Sequence, residues 1–246
     1  MVRSSAWSYR FYRWLWSGLD WVYPPVCGGC GKVGFHWCPD CQVSAVFLSE
    51  PVCNICGCPQ AASGVCSSCH AESPSYRILR SCFAFEGSLR KLIHGLKYRR
   101  DLGLGDTLAK IMVDYASSLG WPIDLVIPVP LGERRLKERG YNQVALIARP
   151  LAMAMDWNYT PGALVRVRET ASQVGLSVEE RRENVHDAFR ASPARVHGKN
   201  VLLLDDVATT GSTLSSCACA LLTAGTKEVY ALTVARALPK YGYKDA

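Results

Sequence analysis

The sequence predicts an α/β fold with a mainly parallel sheet, preceded by a small cysteine-rich module. Two observations carry this expectation. From Ile78 to Val234, short aliphatic runs alternate with longer helical stretches, as they do when crossovers join parallel strands. Ahead of them, four C-x-x-C pairs follow one another between Cys27 and Cys69. The composition suits a folded chain: 246 residues, 49% hydrophobic and 20% charged, allow one domain of good size plus a small appendage and do not suit disorder.

Residues 1–25 form the first segment. Trp7, Phe11, Trp14, Leu15, Leu19, Trp21 and Val22 recur at near-helical spacing, with Arg3, Arg10 and Arg13 on one flank, and Pro24-Pro25 ends any helix. Such a helix is expected to pack on the cysteine module or the main domain. The alternative is contact with a membrane surface or a partner. Arg10 and Arg13 interrupt the apolar run that a secretory signal needs, and no stretch is long and apolar enough to span a membrane. A cytoplasmic protein is expected, peripheral to the inner membrane if that helix touches lipid.

The cysteine pairs define residues 26–71. Cys27-Gly-Gly-Cys30, Cys38-Pro-Asp-Cys41, Cys53-Asn-Ile-Cys56 and Cys66-Ser-Ser-Cys69 each let two thiolates face one ion while turn N–H groups bond the sulfurs. Two pairs complete a tetrahedral S₄ zinc site, so two structural zincs are expected in a double zinc-ribbon module. Sequential pairing groups Cys27, Cys30, Cys38 and Cys41, then Cys53, Cys56, Cys66 and Cys69; crossed pairing also satisfies the spacing. Cys58, His36 and His70 stand beside the pairs and are expected to be spectators. A disulfide framework would require a secreted context. Without metal, a segment this small has too little apolar core to fold alone.

Glu72-Ser73-Pro74-Ser75 reads as a linker, and residues 76–240 as the main domain. Strands are expected at Ile78–Phe85, Leu125–Val129, Val201–Leu204 and Val229–Val234. Helices are expected at Leu89–Tyr98, Leu108–Leu119, Asn142–Met155, which must tolerate or bend at Pro150, and Leu214–Ala224.

The run Val201-Leu202-Leu203-Leu204-Asp205-Asp206-Val207-Ala208-Thr209-Thr210-Gly211-Ser212-Thr213 carries most of the chemistry. Four aliphatic residues suit a strand buried on both faces, and ligands of parallel sheets bind beyond the carboxyl ends of the strands. Two carboxylates stand at that end. Thr209 to Thr213 add hydroxyls and approachable N–H groups, and the helix that follows adds its positive dipole end for a phosphate. This run resembles the signature of type I phosphoribosyltransferases, which bind 5-phosphoribosyl 1-pyrophosphate (PRPP) as its magnesium complex. The resemblance implies that Asp205 and Asp206 hold the ribose hydroxyls and that Ala208, Thr209, Thr210, Gly211, Ser212 and Thr213 wrap the 5′-phosphate. It further implies that Val129, Pro130, Leu131 and Gly132, after the earlier strand, offer N–H groups to the pyrophosphate, often through a cis peptide; the bond before Pro130 suits one, though proline removes a donor.

Further along comes R-G-Y-N-Q at Arg139 to Gln143, then Arg168 leading into T-x-x-Q-x-x-L-S at Thr170 to Ser177, with R-x-x-N-V at Arg181 to Val185. Together with D-D-V-A-T-T-G-S-T, and behind C-x-x-C pairs, these motifs resemble the ComFC family of competence proteins from Pro24 to Val234. That resemblance implies a cytoplasmic bacterial protein handling single-stranded DNA during natural transformation, alongside an inner-membrane channel and a helicase-like motor. Net charge +7 suits a polyanion. Lys97, Tyr98, Arg99 and Arg100 form one basic and aromatic cluster, and Arg134, Arg135, Lys137, Arg139 and Tyr141 another; PRPP also needs positive charge. The competing expectation is an enzyme moving phosphoribose from PRPP to a nucleobase, with Arg168 and Gln173 in a mobile loop over the reacting centre. Thr209 stands where purine salvage enzymes carry an aspartate, which disfavours that subgroup. A 5′-phosphorylated nucleotide presents the same ribose-phosphate group and is a further expected ligand.

Overall fold

A computed structural model of the chain describes residues 24–99, 101–168 and 188–238. The cysteine module contributes two short helices, α1 (Pro39–Val43) and α2 (Ser67–Ala71). The main domain then runs β1 (Ile78–Ala84), α3 (Gly87–Tyr98), α4 (Gly103–Ser118), β2 (Leu125–Pro128), α5 (Glu133–Arg139), α6 (Gln143–Met155) and β3 (Asn158–Tyr159). It continues with β4 (Leu164–Arg166), β5 (Phe189–Ala191), α7 (Pro193–Val196), β6 (Asn200–Ala208), α8 (Ser212–Thr223) and β7 (Glu228–Arg236). The aromatic helix expected in residues 1–25 lies outside the described residues, apart from Pro24 and Pro25.

The main sheet has strand order β1-β7-β6-β2-β3, and every neighbouring pair is parallel. Its central strands are buried on both sides because side chains alternate. Leu202 and Leu204 of β6 join Val126 and Leu232 beneath α3, α4 and α6, whose Leu92, Leu96, Leu108, Met112, Ile147 and Leu151 are fully buried. Val201 and Leu203 join Ile127 and Ala231 on the other face, under Leu214, Cys217 and Leu221 of α8. The antiparallel pair β4 and β5 closes that second layer, with Leu164 and Phe189 in its core. Helix α6 continues through the buried Pro150 to Met155.

Three elements depart from the sequence expectation for local reasons. β6 does not stop at Leu204 but remains laddered to β7 through Asp205, Val207 and Ala208. α4 starts a turn before Leu108, and its first turn is masked in the sequence by Gly103 and Gly105, where a Cβ would stand 2.3 Å from His36 and 2.7 Å from Leu146. α5 lacks any buried residue, so it carries no apolar period to reveal it.

The cysteine module rests on the same core. Cys27, Trp37, Cys38 and Cys41 belong to the cluster that contains Leu89 and Leu92 of α3, and Ser88 Oγ donates to Cys41 O at 2.8 Å. The second half of the module lies along β1, where Leu79 N donates to Ile55 O at 2.7 Å. No helix among the described residues is long and apolar enough to cross a membrane.

Gly57 makes the second contact possible. Its φ of +66° lies in the left-handed region, and a Cβ there would stand 2.5 Å from Leu79 O. Gly57→Ala is expected to strain the turn and lift the second cysteine group from β1, costing about 1–3 kcal/mol. Thermal denaturation with zinc present checks this; an unchanged melting temperature contradicts it.

Candidate functional site

The site begins where two neighbouring strands end at different heights. β2 pairs with β6 only as far as Pro128 opposite Leu204, while β6 runs on beside β7 to Ala208. Asp205 and Asp206 therefore lie within the strand, on the stretch beyond β2. Adjacent strand residues point to opposite faces, so the two carboxylates part. Asp206 turns toward α3 and α6 and is 4% exposed. Lys97 Nζ lies 3.0 Å from its Oδ1 and 2.9 Å from its Oδ2, and Gln143 Nε2 donates to Oδ2 at 2.8 Å. Asp205 turns toward α8, where burial and then the Asp205 charge push the Cys217 thiol well up. Burial and the adjacent Asp206 charge push the Asp205 carboxyl up to about 7, against the N–H of Asp206 that it accepts at 2.8 Å.

The R-G-Y-N-Q segment builds the partner side of Asp206, one tie per residue. Arg139 Nη1 donates to Gln143 Oε1 at 2.7 Å, which orients the amide so that its Nε2 faces the carboxylate. Gly140, at φ 81°, ends α5 in the left-handed conformation. Tyr141 donates its hydroxyl to Leu96 O at 2.6 Å. Asn142 caps α6 by accepting from Val144 N at 2.9 Å, and its Nδ2 donates to Val129 O at 3.0 Å. Sequence reading placed Lys97, Arg139 and Tyr141 on a nucleic-acid surface. Lys97 instead faces Asp206, and Tyr141 is half-buried with its hydroxyl engaged. Gln143 is the residue it overlooked as a site residue.

Thr209 to Thr213 form the loop from β6 into α8. Gly211 has φ 83°, and a Cβ there would lie 2.7 Å from Tyr76 Oη. Thr210 Oγ1 and Ser212 Oγ stand 2.7 Å apart. Beside the loop, a cleft of about 710 Å³ extends between α8 and the second cysteine group, lined by Thr209, Ser212, Ser215, Tyr76, Cys58 and Arg236. Arg236 is 4% exposed and donates from Nη1 to Cys56 O at 2.6 Å, while its strand position pairs with Ala208. It braces the second cysteine group against the strand end that launches the loop.

The expected pyrophosphate loop needs correction. Val129 N donates to Leu204 O at 2.9 Å, so it extends the sheet, and Pro130 carries no N–H; only Leu131 and Gly132 keep backbone donors for an anion there. The bond before Pro130 is trans, and the cis peptide among the described residues is Glu50–Pro51. Arg168 is exposed beyond β4, while Gln173 and Arg100 lie outside the described residues. On α5, Arg134 pairs with Glu138 at 3.5 Å and Lys137 with Glu133 at 3.9 Å, and Arg135 is half-buried. Tyr98 and Arg99 are exposed, and the Arg139 guanidinium lies 5.0 Å from the Tyr98 ring centre.

The cysteines gather sequentially. The sulfurs of Cys27, Cys30, Cys38 and Cys41, and those of Cys53, Cys56, Cys66 and Cys69, lie within 4.8 Å of one another in each group. Tetrahedral zinc at about 2.3 Å from each sulfur fits that spacing. Burial pushes the Cys27 and Cys53 thiols up, but turn N–H groups, led by those of Cys38 and Cys66, outweigh it and bring both to about 6. These donors reach sulfur at 3.3 and 3.4 Å. Thiolates so held suit a metal, and Cys58, His36 and His70 belong to neither group.

A parallel sheet with paired carboxylates and a threonine-rich loop at its central strand, set behind two four-cysteine groups, defines a phosphoribosyltransferase-type domain that follows a double zinc ribbon. Family comparison agrees: the double zinc ribbon domain matches residues 18–70, and the phosphoribosyl transferase domain residues 139–246. A DNA utilization protein, YhgH, of Escherichia coli O157:H7 is 32% identical over 82% of this chain and 92% of its own length. Competence protein F of Haemophilus influenzae is 31% identical over 81% of this chain and 90% of its own. Competence protein ComFC of Bacillus subtilis is 27% identical over 76% and 78%. The chain belongs to this ComFC and competence protein F family.

Two outcomes are expected of these groups. Metal analysis of the purified protein should give two zinc equivalents per chain, and Cys53→Ser should remove one while the Cys27 group keeps the other; retention of both contradicts the ligand set. Asp205 titrates at about 7 when folded, above its ordinary value of about 4. The folded state therefore holds the extra proton, and the Asp205 contribution to stability falls as pH rises through that window. The stability difference between Asp205→Asn and wild type should grow in favour of the variant from about pH 4 to about pH 7 and level off above it. A pH-independent difference in denaturant midpoints sinks the assignment.

Proposed function

We propose that this protein handles single-stranded DNA during DNA uptake and carries a ribose-phosphate site for PRPP, or for a 5′-phosphorylated nucleotide, at the end of β6. The observation that carries the ligand site is Asp206, buried between Lys97 and Gln143 beside the Thr209–Thr213 loop. The DNA role is supported by the competence and DNA-utilization relatives, and by a net charge of +7. The site of action is cytoplasmic, where an inner-membrane channel and a helicase-like motor deliver the strand.

The 5′-phosphate sits against the N–H and hydroxyl groups of Thr209 to Thr213, at the positive end of α8. Magnesium arrives with PRPP, and Asp205 is its natural neighbour: a nearby divalent cation favours the ionised carboxylate that burial disfavours. Binding is favoured over turnover, because the Val129–Gly132 loop has lost two of four donors to a departing pyrophosphate. Transfer of phosphoribose to a nucleobase is the alternative activity.

Titration of a fluorescent single-stranded oligonucleotide at several salt concentrations tests the first reading, with salt-sensitive binding expected. Asp206→Asn should weaken Mg-PRPP binding at least tenfold, about 1.4 kcal/mol, and leave DNA affinity within twofold. A 5′-phosphorylated oligonucleotide should compete with PRPP. Absence of DNA binding at low salt, together with pyrophosphate release in a screen of bases, replaces the reading with the enzymatic one.

A further inference from the structure

The basic run on α5 is one of the two polyanion footprints expected from the sequence, yet its charges are compromised in place. Two acids, Glu133 and Glu138, sit among its cations within 3.9 Å and 3.5 Å of Lys137 and Arg134. A phosphate chain laid along α5 meets like charge every turn. Helix α3 differs. Its sequence from Gly87 to Tyr98 contains no Asp or Glu, and its inward face is fully committed to the core through Leu89, Leu92, Ile93 and Leu96. The outward face then presents Arg90, Lys91, His94 and Tyr98, all exposed, followed by exposed Arg99.

The spacing i, i+1, i+4, i+8 aligns these side chains in one stripe, about 12 Å from end to end. Among the described residues, Lys91 and Arg99 form no ion pair, and Arg90 lies against the Phe85 ring at 6.0 Å rather than against a carboxylate. The acids next to the stripe in sequence are Glu86, at the N-cap of the helix, and Asp101, whose Oδ1 lies 3.5 Å from His36 Nδ1. At the far end, flat groups gather: the His94 and Tyr98 rings are 4.5 Å apart, and the Arg139 guanidinium stands over Tyr98. Tyr98 is nevertheless 61% exposed, so ring surface remains for a base. The residue before Tyr98 is Lys97, which holds Asp206.

We propose that the outer face of α3 is the single-stranded DNA track, with Arg90, Lys91 and Arg99 on the phosphates and the His94–Tyr98–Arg139 group stacking a base beside the Asp206 site. This rests on the DNA-handling reading; it extends the Lys97–Arg100 cluster expected from the sequence back along α3 and sets the α5 cluster aside. The stripe neutralises backbone without reading sequence, and stacking tolerates every base, so the track is non-specific. A strand lying on it is led toward Lys97 and the ribose-phosphate site.

The experiment compares salt dependence of binding to a labelled single strand of mixed sequence for full-length, zinc-loaded wild type and four variants. Arg90→Ala with Lys91→Ala should shift the slope of log affinity against log salt toward zero by about 1.4, for two lost phosphate contacts on a single strand. Tyr98→Ala should weaken binding about fivefold or more with the slope unchanged, and Tyr98→Phe should restore it. Arg134→Ala with Arg135→Ala and Lys137→Ala should leave both readouts within error of wild type. The substituted side chains are exposed or, for Arg135, half-buried, and equal zinc content and melting temperature confirm that the variants fold. An unchanged slope in the α3 variant, or its transfer to the α5 variant, overturns the track while salt-sensitive wild-type binding leaves the DNA reading intact. No wild-type binding at low salt removes both.

Discussion

A carboxylate buried as deeply as Asp206 cannot stand alone, and much of this domain is arranged to partner it. Removing an ionised carboxylate from water costs several kcal/mol unless charge and hydrogen bonds replace the solvent. Three elements meet that demand: β6 brings the carboxylate, α3 brings Lys97, and α6 brings Gln143. Each of the three must hold its height along the sheet to within a hydrogen bond. Tyr141 fixes the end of α3 through Leu96 O, and Asn142 fixes the start of α6 against the end of β2. The R-G-Y-N-Q segment thus registers two helices and two strands around one acid, and its members act as a unit rather than as separate contributions.

The zinc module enters the same arrangement from both ends. Its first cysteine group shares the core with Leu89 and Leu92 on α3, the helix that carries Lys97. Its second is tied to β1 by Leu79 N and to β7 by Arg236, whose strand neighbour Ala208 begins the Thr209–Thr213 loop. Metal-dependent folding of the module is therefore coupled to both the carboxylate side and the loop side of the site. A small module without much apolar core would be held here by metal and by the core it shares with α3, and through those contacts it touches residues far off in the sequence.

How much of this was legible in the sequence depended on distance along the chain. Cysteine spacing is local, and the pairs read correctly as two groups; the apolar run of β6, its acidic pair and its threonine-rich loop are contiguous. The partners of Asp206 were not readable, because Lys97 and Gln143 lie 109 and 63 residues away and only the folded sheet brings them in. Arg236 lies 180 residues from Cys56 at the end of a mostly apolar strand, where it gave no signal. Helix α5 had no apolar period, and β3, β4 and β5 are two or three residues long, below what periodicity resolves. The continuation of β6 past Leu204 was hidden because Asp205 and Asp206 look like a strand end; the ladder to β7 carries them further.

That continuation also gives the two aspartates unlike tasks. Because both remain in extended backbone, they cannot face one ligand atom together; Asp206 is charge-paired, while Asp205 accepts one backbone N–H and sits near its titration point. A site of this kind has one carboxylate matched by a lysine and one whose charge depends on its surroundings. An approaching cation stabilises the ionised form of Asp205, and an approaching phosphate alone does not, which suits the proposed ligand, an anion that brings its own divalent metal. The Lys97 ammonium completes the logic. It is engaged with Asp206 before any ligand arrives, so a polyphosphate that draws on Lys97 must leave Asp206 free to accept hydroxyl donors in its place. On the proposed ribose-phosphate reading, hydroxyls and phosphates on one molecule satisfy both exchanges at once, whereas a phosphate alone leaves the buried Asp206 carboxylate short of its cation.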